Sequence, residues 1–177
     1  MTHCAALLRG INVGRAKRIA MADLRALIEG LGHAEVRTLL NSGNVVFKAK
    51  GSDAGKIAQA MSTAIEKKFG FSVAVVVVTA PELAAIIKEN PLAKVAKDPA
   101  RYLVAFVSGS ADLELAKPLL EQSWAPAAIA LGKHAAYLWC ADGIHDSKLW
   151  KAFMRAAKEN TTARNWTTVL KLQAMLG

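Results

Sequence analysis

Six apolar residues stand in an unbroken row at Val73-Ala74-Val75-Val76-Val77-Val78. A strand with one face in water alternates polar and apolar side chains, whereas a row without a polar residue suits a strand buried on both faces. The row is far shorter than the about 20 residues that a membrane-crossing helix needs. It therefore predicts a strand buried on both faces, and the pattern leading up to it says what kind of sheet it joins.

His3 to Arg9 reads as a buried strand running into a Gly-bracketed basic loop, Gly10 to Ala20. Met21, Leu24, Leu27, Ile28 and Leu31 have helical spacing, and Gly32 suits the helix end. Glu35 to Leu40 is a second strand, and Val45 to Ala49 returns beside it across Asn41-Ser42-Gly43-Asn44. Gly in that turn accepts the positive φ that a tight hairpin demands. A helix follows over Ser52 to Phe69, with Ile57, Ala60, Met61, Ala64 and Ile65 on one face, and the valine row closes the series. The order is β-α-β-β-α-β, which folds as a ferredoxin-like sandwich of one sheet and two helices.

Thr79-Ala80-Pro81-Glu82 has the form of a capping box, and Asn90-Pro91 stops the helix it starts. Residues 91–100 hold two prolines and alternating charge, which predicts the division between a domain over 1–90 and a second over 91–177. The second half restarts with a strand over Arg101 to Ser108 and a helix over Asp112 to Gln122 that Pro118 should kink or stop. Ala127 to Leu131 and Ala135 to Ala141 form a hairpin across Gly132-Lys133-His134. Ser147 to Lys158 is an amphipathic helix, and a last helix runs from about Asn165 to Leu176. The second half thus reads β-α-β-β-α with a helix where the final strand would be. The fold class expected is α+β: two ferredoxin-like, βαββαβ-type α/β sandwich halves with antiparallel sheets, the second ending in an extra C-terminal helix.

The formal charge of +9 is not spread evenly. Residues 1–22 hold Arg9, Arg15, Lys17 and Arg18 and no acid; residues 147–177 hold Lys148, Lys151, Arg155, Lys158, Arg164 and Lys171 against Glu159 alone. The stretch between is neutral, with 13 basic and 13 acidic residues. A concentrated positive surface favours anionic partners. Both basic segments carry a polar motif, Arg9-Gly10-Ile11-Asn12-Val13-Gly14 in the first and Arg164-Asn165-Trp166-Thr167-Thr168 in the second.

In the expected topology, the first two strands are parallel and end at the same sheet edge. The basic loop and the Asn41–Asn44 turn should then be neighbours. Gly10 and Gly14 would let backbone N–H groups approach an oxyanion, Arg9 would hold it bidentately, and Lys17 would add charge. Asn12, Asn41, Ser42, Gly43 and Asn44 complete the candidate ligand-binding set, with Asn12 equally suited to bonding the loop to itself. Arg164 and Asn165 begin the last helix; an arginine there opposes the helix dipole and calls for a partner or a ligand. The C-terminal motif would close the site if the two halves pack face to face.

Other signals fail. Gly51-Ser52-Asp53-Ala54-Gly55-Lys56 has three residues between its glycines, where a phosphate loop has four, and Ile57 follows where Ser or Thr is required. His3, His33, His134 and His145 have no metal-ligand spacing, and no cofactor motif is present. Cys4 and Cys140 sit in apolar contexts, as buried thiols would. An RNA-recognition domain stacks bases on aromatic residues of its first and third strands; here the first offers no aromatic ring other than His3 and the third only Phe47. No basic segment followed by an apolar core opens the chain, so no signal peptide is expected.

The combination of Leu7-Leu8-Arg9-Gly10-Ile11-Asn12-Val13-Gly14, Met21-Ala22-Asp23-Leu24-Arg25, Asn41-Ser42-Gly43-Asn44-Val45-Val46-Phe47 and Thr162-Ala163-Arg164-Asn165-Trp166-Thr167-Thr168-Val169 resembles the uncharacterised bacterial domain-of-unknown-function family 1697. The resemblance implies a cytoplasmic bacterial protein of two ferredoxin-like halves and implies no activity. That family usually has Thr directly before the Arg of the last motif, where this chain has Ala163. The function expected is binding of a phosphate- or carboxylate-bearing small ligand, with nonspecific nucleic-acid binding or an enzyme on a phosphorylated metabolite as alternatives. No membrane partner is expected.

Overall fold

The computed structural model describes residues 1–177, which form two compact units, Met1–Leu83 with Leu172–Gly177 and Ala84–Lys171. No helix is long and apolar enough to cross a membrane.

The first unit runs β1 (His3–Leu8), α1 (Met21–Gly30), β2 (Ala34–Leu39), β3 (Asn44–Lys48), α2 (Ala54–Phe69), β4 (Val75–Thr79) and the start of α3 (Ala80–Glu89). The sheet order is β2-β3-β1-β4, and every neighbouring pair is antiparallel. This is the ferredoxin-like arrangement, in which β1 and β2 point the same way without touching. Cys4, Ala6 and Leu8 of β1 and Val45 and Phe47 of β3 face a core completed by Leu24 and Ile28 of α1 and Met61 and Ile65 of α2. Ala5, Leu7, Val46, Val76 and Val78 occupy the opposite face and are buried as well. The valine row is thus buried on both faces, as its composition demands. Its strand begins two residues later than the row: the Val73 carbonyl accepts from the Ser62 hydroxyl at 2.7 Å, and Arg9 N donates to the Ala74 carbonyl at the end of the β1–β4 ladder.

Local signals hold the helices. Asp53 caps α2 by accepting from Lys56 N, and Gly70 ends it at φ 81°. Thr79 and Glu82 form the expected capping box: Glu82 Oε2 accepts from Thr79 N at 2.8 Å. The Arg37 guanidinium donates to the Met175 carbonyl at 2.5 Å, joining β2 to the C-terminal residues of the same unit.

The second unit runs β5 (Tyr102–Val107), α4 (Ser110–Glu114), a 3-10 turn over Lys117–Glu121, β6 (Ala128–Leu131), β7 (Ala135–Trp139), α5 (Lys148–Ala157), β8 (Thr161–Asn165) and most of α6 (Trp166–Leu176). Pro118 breaks the helical pattern between α4 and the 3-10 turn. The sheet order, β6-β7-β5-β8, repeats that of the first unit. The sequence pattern predicts a helix where the final strand should be; instead β8 pairs antiparallel with β5 from Val107↔Thr161 to Leu103↔Asn165, and α6 follows it as the extra helix. The strand escapes pattern reading because Thr-Thr-Ala-Arg-Asn shows no apolar alternation. Its ladder with β5 supplies the hydrogen bonds that its own side chains do not announce.

Candidate functional site at the basic sheet edge

The first two motifs meet. Leu8 N donates to the Gly43 carbonyl at 2.8 Å, so the ladder between β1 and β3 continues into the Asn41–Asn44 turn. Arg9 N donates to the Ala74 carbonyl at 3.0 Å on the other side. The loop leaving β1 therefore lies between the β2–β3 turn and the α2–β4 connection.

Ile11 and Ile19 are buried and anchor the two ends of this loop, while residues 13–18 are exposed. Asn12 closes it. Its side-chain carbonyl accepts from Ile19 N at 2.9 Å, and its amide donates to the Ile19 carbonyl at 2.9 Å and to the Asn41 carbonyl at 2.7 Å. Its backbone N–H donates to the Lys17 carbonyl at 3.1 Å. Asn12 has φ 55°, in the left-handed region that Asn tolerates better than most residues. Gly10, Gly14 and Lys17 also have positive φ. A Cβ built on Gly10 or Gly14 would meet nothing within 4 Å, so these glycines serve the backbone path and face open space. The N–H groups of Val13, Gly14 and Arg15 donate to no protein acceptor.

The cations differ in their freedom. Arg15 has neither a hydrogen bond nor an ion pair, Arg18 Nη1 donates to the Gly14 carbonyl at 3.1 Å, and Lys17 Nζ donates to the Ser72 carbonyl at 3.0 Å. Arg9 is half-buried and already partnered. Lys67 and Lys68 stand in the last turn of α2, just before the connection that Lys17 grips, and Lys68 Nζ lies 5.5 Å from the centre of the Phe69 ring. Glu66 accepts from the Ser72 hydroxyl, and Asp23 lies in the first turn of α1. The motifs in the sequence do not single out Ser72, Lys67 and Lys68. The signal was available: β4 runs antiparallel to β1, so the residues entering it arrive at the edge where β1 ends.

The turn is more structural than its polar composition suggests. Asn44 is fully buried, and its amide donates to the Leu39 carbonyl at 2.9 Å and to Ser42 Oγ at 3.0 Å. Gly43, at φ 90°, leaves no room for a side chain, since a Cβ there would stand 2.7 Å from Leu8 Cβ. Asn41 and Ser42 remain exposed. His3 lies at the opposite end of β1, where it pairs with Glu35 at 3.5 Å, so it brings no acid–base chemistry to this edge.

Arg164 and Asn165 belong to the second unit. Arg164 lies on β8 rather than at a helix start, so the helix dipole does not account for its partners. Its Nη1 donates to Thr162 Oγ1 and to the Ala163 carbonyl, each at 2.8 Å. A threonine hydroxyl two residues back thus meets the guanidinium even though Ala163 stands directly before it. Burial pushes the Arg164 pKa down to about 10, which leaves it charged at neutral pH. Asn165 caps α6 by accepting from Thr168 N at 2.9 Å, and Trp166 stacks on Tyr102 with ring centres 5.0 Å apart.

A family model described as "Protein of unknown function (DUF1697)" matches residues 1–137, a span that contains the first two motifs and ends before the third. No curated protein matches the chain. The fold is similar to that of a solved structure described as a conserved bacterial protein from Streptococcus pneumoniae, at 24% identity over 99% of each chain and a TM-score of 0.83.

Proposed function

The chain belongs to the DUF1697 family of proteins of unknown function, and we propose that its 9–20 loop binds a phosphate- or carboxylate-bearing small ligand at the basic edge of the first sheet. The observation that carries this reading is the run of N–H groups at Val13, Gly14 and Arg15, exposed and without protein acceptors, on a loop whose path is held by Asn12. Successive N–H groups on a backbone that alternates in handedness form a concave, partly positive nest suited to one oxyanion. Arg15 and Arg18 flank it and supply charge-assisted bonds. Lys17 adds charge while holding Ser72, and Asn41 and Ser42 offer neutral polar groups on the turn side. Asn12 and Asn44 position this surface from behind and do not touch the ligand.

The test is a thermal-shift series with inorganic phosphate, pyrophosphate, citrate and nucleoside phosphates at fixed ionic strength. A ligand at 100 times its dissociation constant stabilises by about 2.7 kcal/mol, a readily measured shift. Wild-type protein should show a saturable shift with at least one of them, and the Arg15→Gln/Arg18→Gln double variant should lose it. No shift with any ligand, or an equal shift in the double variant, refutes the reading.

A further inference from the structure

The basic loop accounts for the positive charge of the N-terminal segment only. Most of the C-terminal excess is gathered on α5. Lys148, Lys151, Arg155 and Lys158 are all exposed, and their spacing of three, four and three residues puts them along one side of the helix and its cap. At 1.5 Å rise per residue this row is about 15 Å long. The opposite side is spent in the core: Leu149, Phe153 and Ala157 are buried.

We propose that this face of α5 docks the phosphate backbone of nucleic acid, independently of the base sequence. The first argument is electrostatic. No acid lies within α5, Lys148 stands in its first turn at the positive pole of the helix, and no ion pair reaches Lys148, Lys151 or Arg155. Like charges three and four residues apart repel, and a cation at the helix start opposes the dipole. The flanking acids Asp146 and Glu159 lie beyond the two ends of the row. A polyanion laid along the row relieves both penalties at once.

The second argument is shape. Side chains radiating from the outside of a helix diverge, so they cannot converge on one small anion. They suit an extended partner that repeats its charge, as a nucleic-acid strand does. A lipid surface fits less well, because an interfacial helix inserts an apolar face and that of α5 is committed to its own unit. The aromatic residues here are committed too: Trp150 is half-buried and stacks on Phe153 with ring centres 6.0 Å apart. With Trp150 and Phe153 committed to the core, α5 itself presents no ring to stack a base, so recognition along the row rests on phosphate and carries no sequence information.

The inference rests on the second unit and stands or falls apart from the ligand proposed for the loop. It is tested on the full chain by fluorescence anisotropy with an oligothymidylate and a mixed-sequence duplex of about 20 base pairs across a salt series. Wild-type affinity should fall steeply with salt. The Lys148→Gln/Lys151→Gln/Arg155→Gln variant should bind every sequence more weakly, and its salt slope should be shallower by about 2 to 3, since each lost phosphate contact removes about 0.7–0.9. The Arg15→Gln/Arg18→Gln variant should retain the sensitivity to the α5 substitutions. Circular dichroism and thermal melting establish that the triple variant is folded. A folded triple variant with the wild-type slope overturns the proposal. So does a loss confined to phosphatidylserine/phosphatidylcholine vesicles or to an acidic polypeptide such as polyglutamate.

Discussion

The side-chain amide of Asn12 donates to the backbone carbonyl of Asn41 at 2.7 Å, across 29 residues of sequence. This bond joins the two motifs at the first sheet edge. The same side chain exchanges two further bonds with the backbone of Ile19. One residue thus sets the span of the loop and its distance from the turn.

Asn12→Ala should therefore destabilise the protein by about 2–3 kcal/mol. Three partly exposed hydrogen bonds at the lower end of the usual range contribute most of this, and placing Ala at φ 55° adds to it. Urea denaturation monitored by circular dichroism checks the value. A loss below about 0.5 kcal/mol would show that the loop does not depend on Asn12. Asn12→Asp keeps the acceptor for Ile19 N but sets a carboxylate oxygen against the Ile19 and Asn41 carbonyls where the amide donated, so it should be no milder than Asn12→Ala.

Gly43 and Gly14 provide a contrast within one site. Both have positive φ, so Ala at either costs about 1–2 kcal/mol from the backbone alone. At Gly14 nothing else is added, because the added methyl enters open space. At Gly43 the methyl would meet Leu8 Cβ at 2.7 Å and Ile11 Cδ1 at 3.0 Å, both fixed in the core. Gly43→Ala should therefore cost at least about 1–3 kcal/mol more than Gly14→Ala, the usual range for overpacking. Equal denaturation midpoints for the two variants would contradict the packing described at the turn.

Much of this edge was legible in the residues, because connectivity alone places it. Helix patterns between strands force β1 and β2 to be parallel, and so bring the loop after one beside the turn after the other. Cap signals were legible for the same local reason: Thr79 and Glu82 are three residues apart and bond each other. Which of its two readings Asn12 would follow was not legible, nor was the inward role of Asn44. Polar side chains in loops look alike in sequence whether they face a ligand or bond the backbone, and here both turn inward. The strand β8 was hidden because a short edge strand takes its conformation from the ladder with β5, not from its own pattern.

Gly132 shows a purely steric requirement. An added Cβ would overlap the Glu89 carboxylate and stand 2.8 Å from Tyr137 Cε2. Glu89 is on the exposed last turn of α3 and can swing away, losing its contact with the Tyr137 hydroxyl at 3.0 Å; the Tyr137 ring is buried and cannot. Gly132→Ala should cost about 2 kcal/mol, within the range for overpacking. In a Glu89→Ala background the cost should shrink without vanishing. A double-mutant cycle measures the coupling, and strict additivity would show that Glu89 and Gly132 do not meet as described.

Cys4 and Cys140 are both buried, and burial pushes both thiols up, Cys4 to about 11 with Glu82 adding to the shift. The thiolate is the reactive form, so neither should react with a thiol-specific disulfide reagent at neutral pH in the native state. Both should react after urea denaturation. The raised value for Cys4 also has a stability consequence. The neutral thiol is the folded form, so its contribution is complete below the unfolded value near 9 and is lost as pH rises towards about 11. Rapid native labelling of either cysteine would contradict the packing of these sites.

His33 should make stability fall on the acid side. Its Nδ1 accepts from Lys50 N at 3.0 Å, and its ring packs on Phe47 with centres 4.9 Å apart. Burial, and secondarily the Lys50 charge, lower its pKa from 6.5, so the folded protein holds it neutral. Below that value the unfolded chain takes up a proton that the folded protein refuses, and protonation at Nδ1 would abolish the acceptor. The contribution is therefore present above about pH 6.5 and lost as pH falls through the lowered folded value. Urea midpoints measured from about pH 8 down to about pH 5 should decline in the wild type. His33→Gln retains an acceptor for Lys50 N without titrating, so its decline over this window should be smaller by the share that His33 contributes. An identical decline in the two proteins would mean that the imidazole is not held neutral by its surroundings.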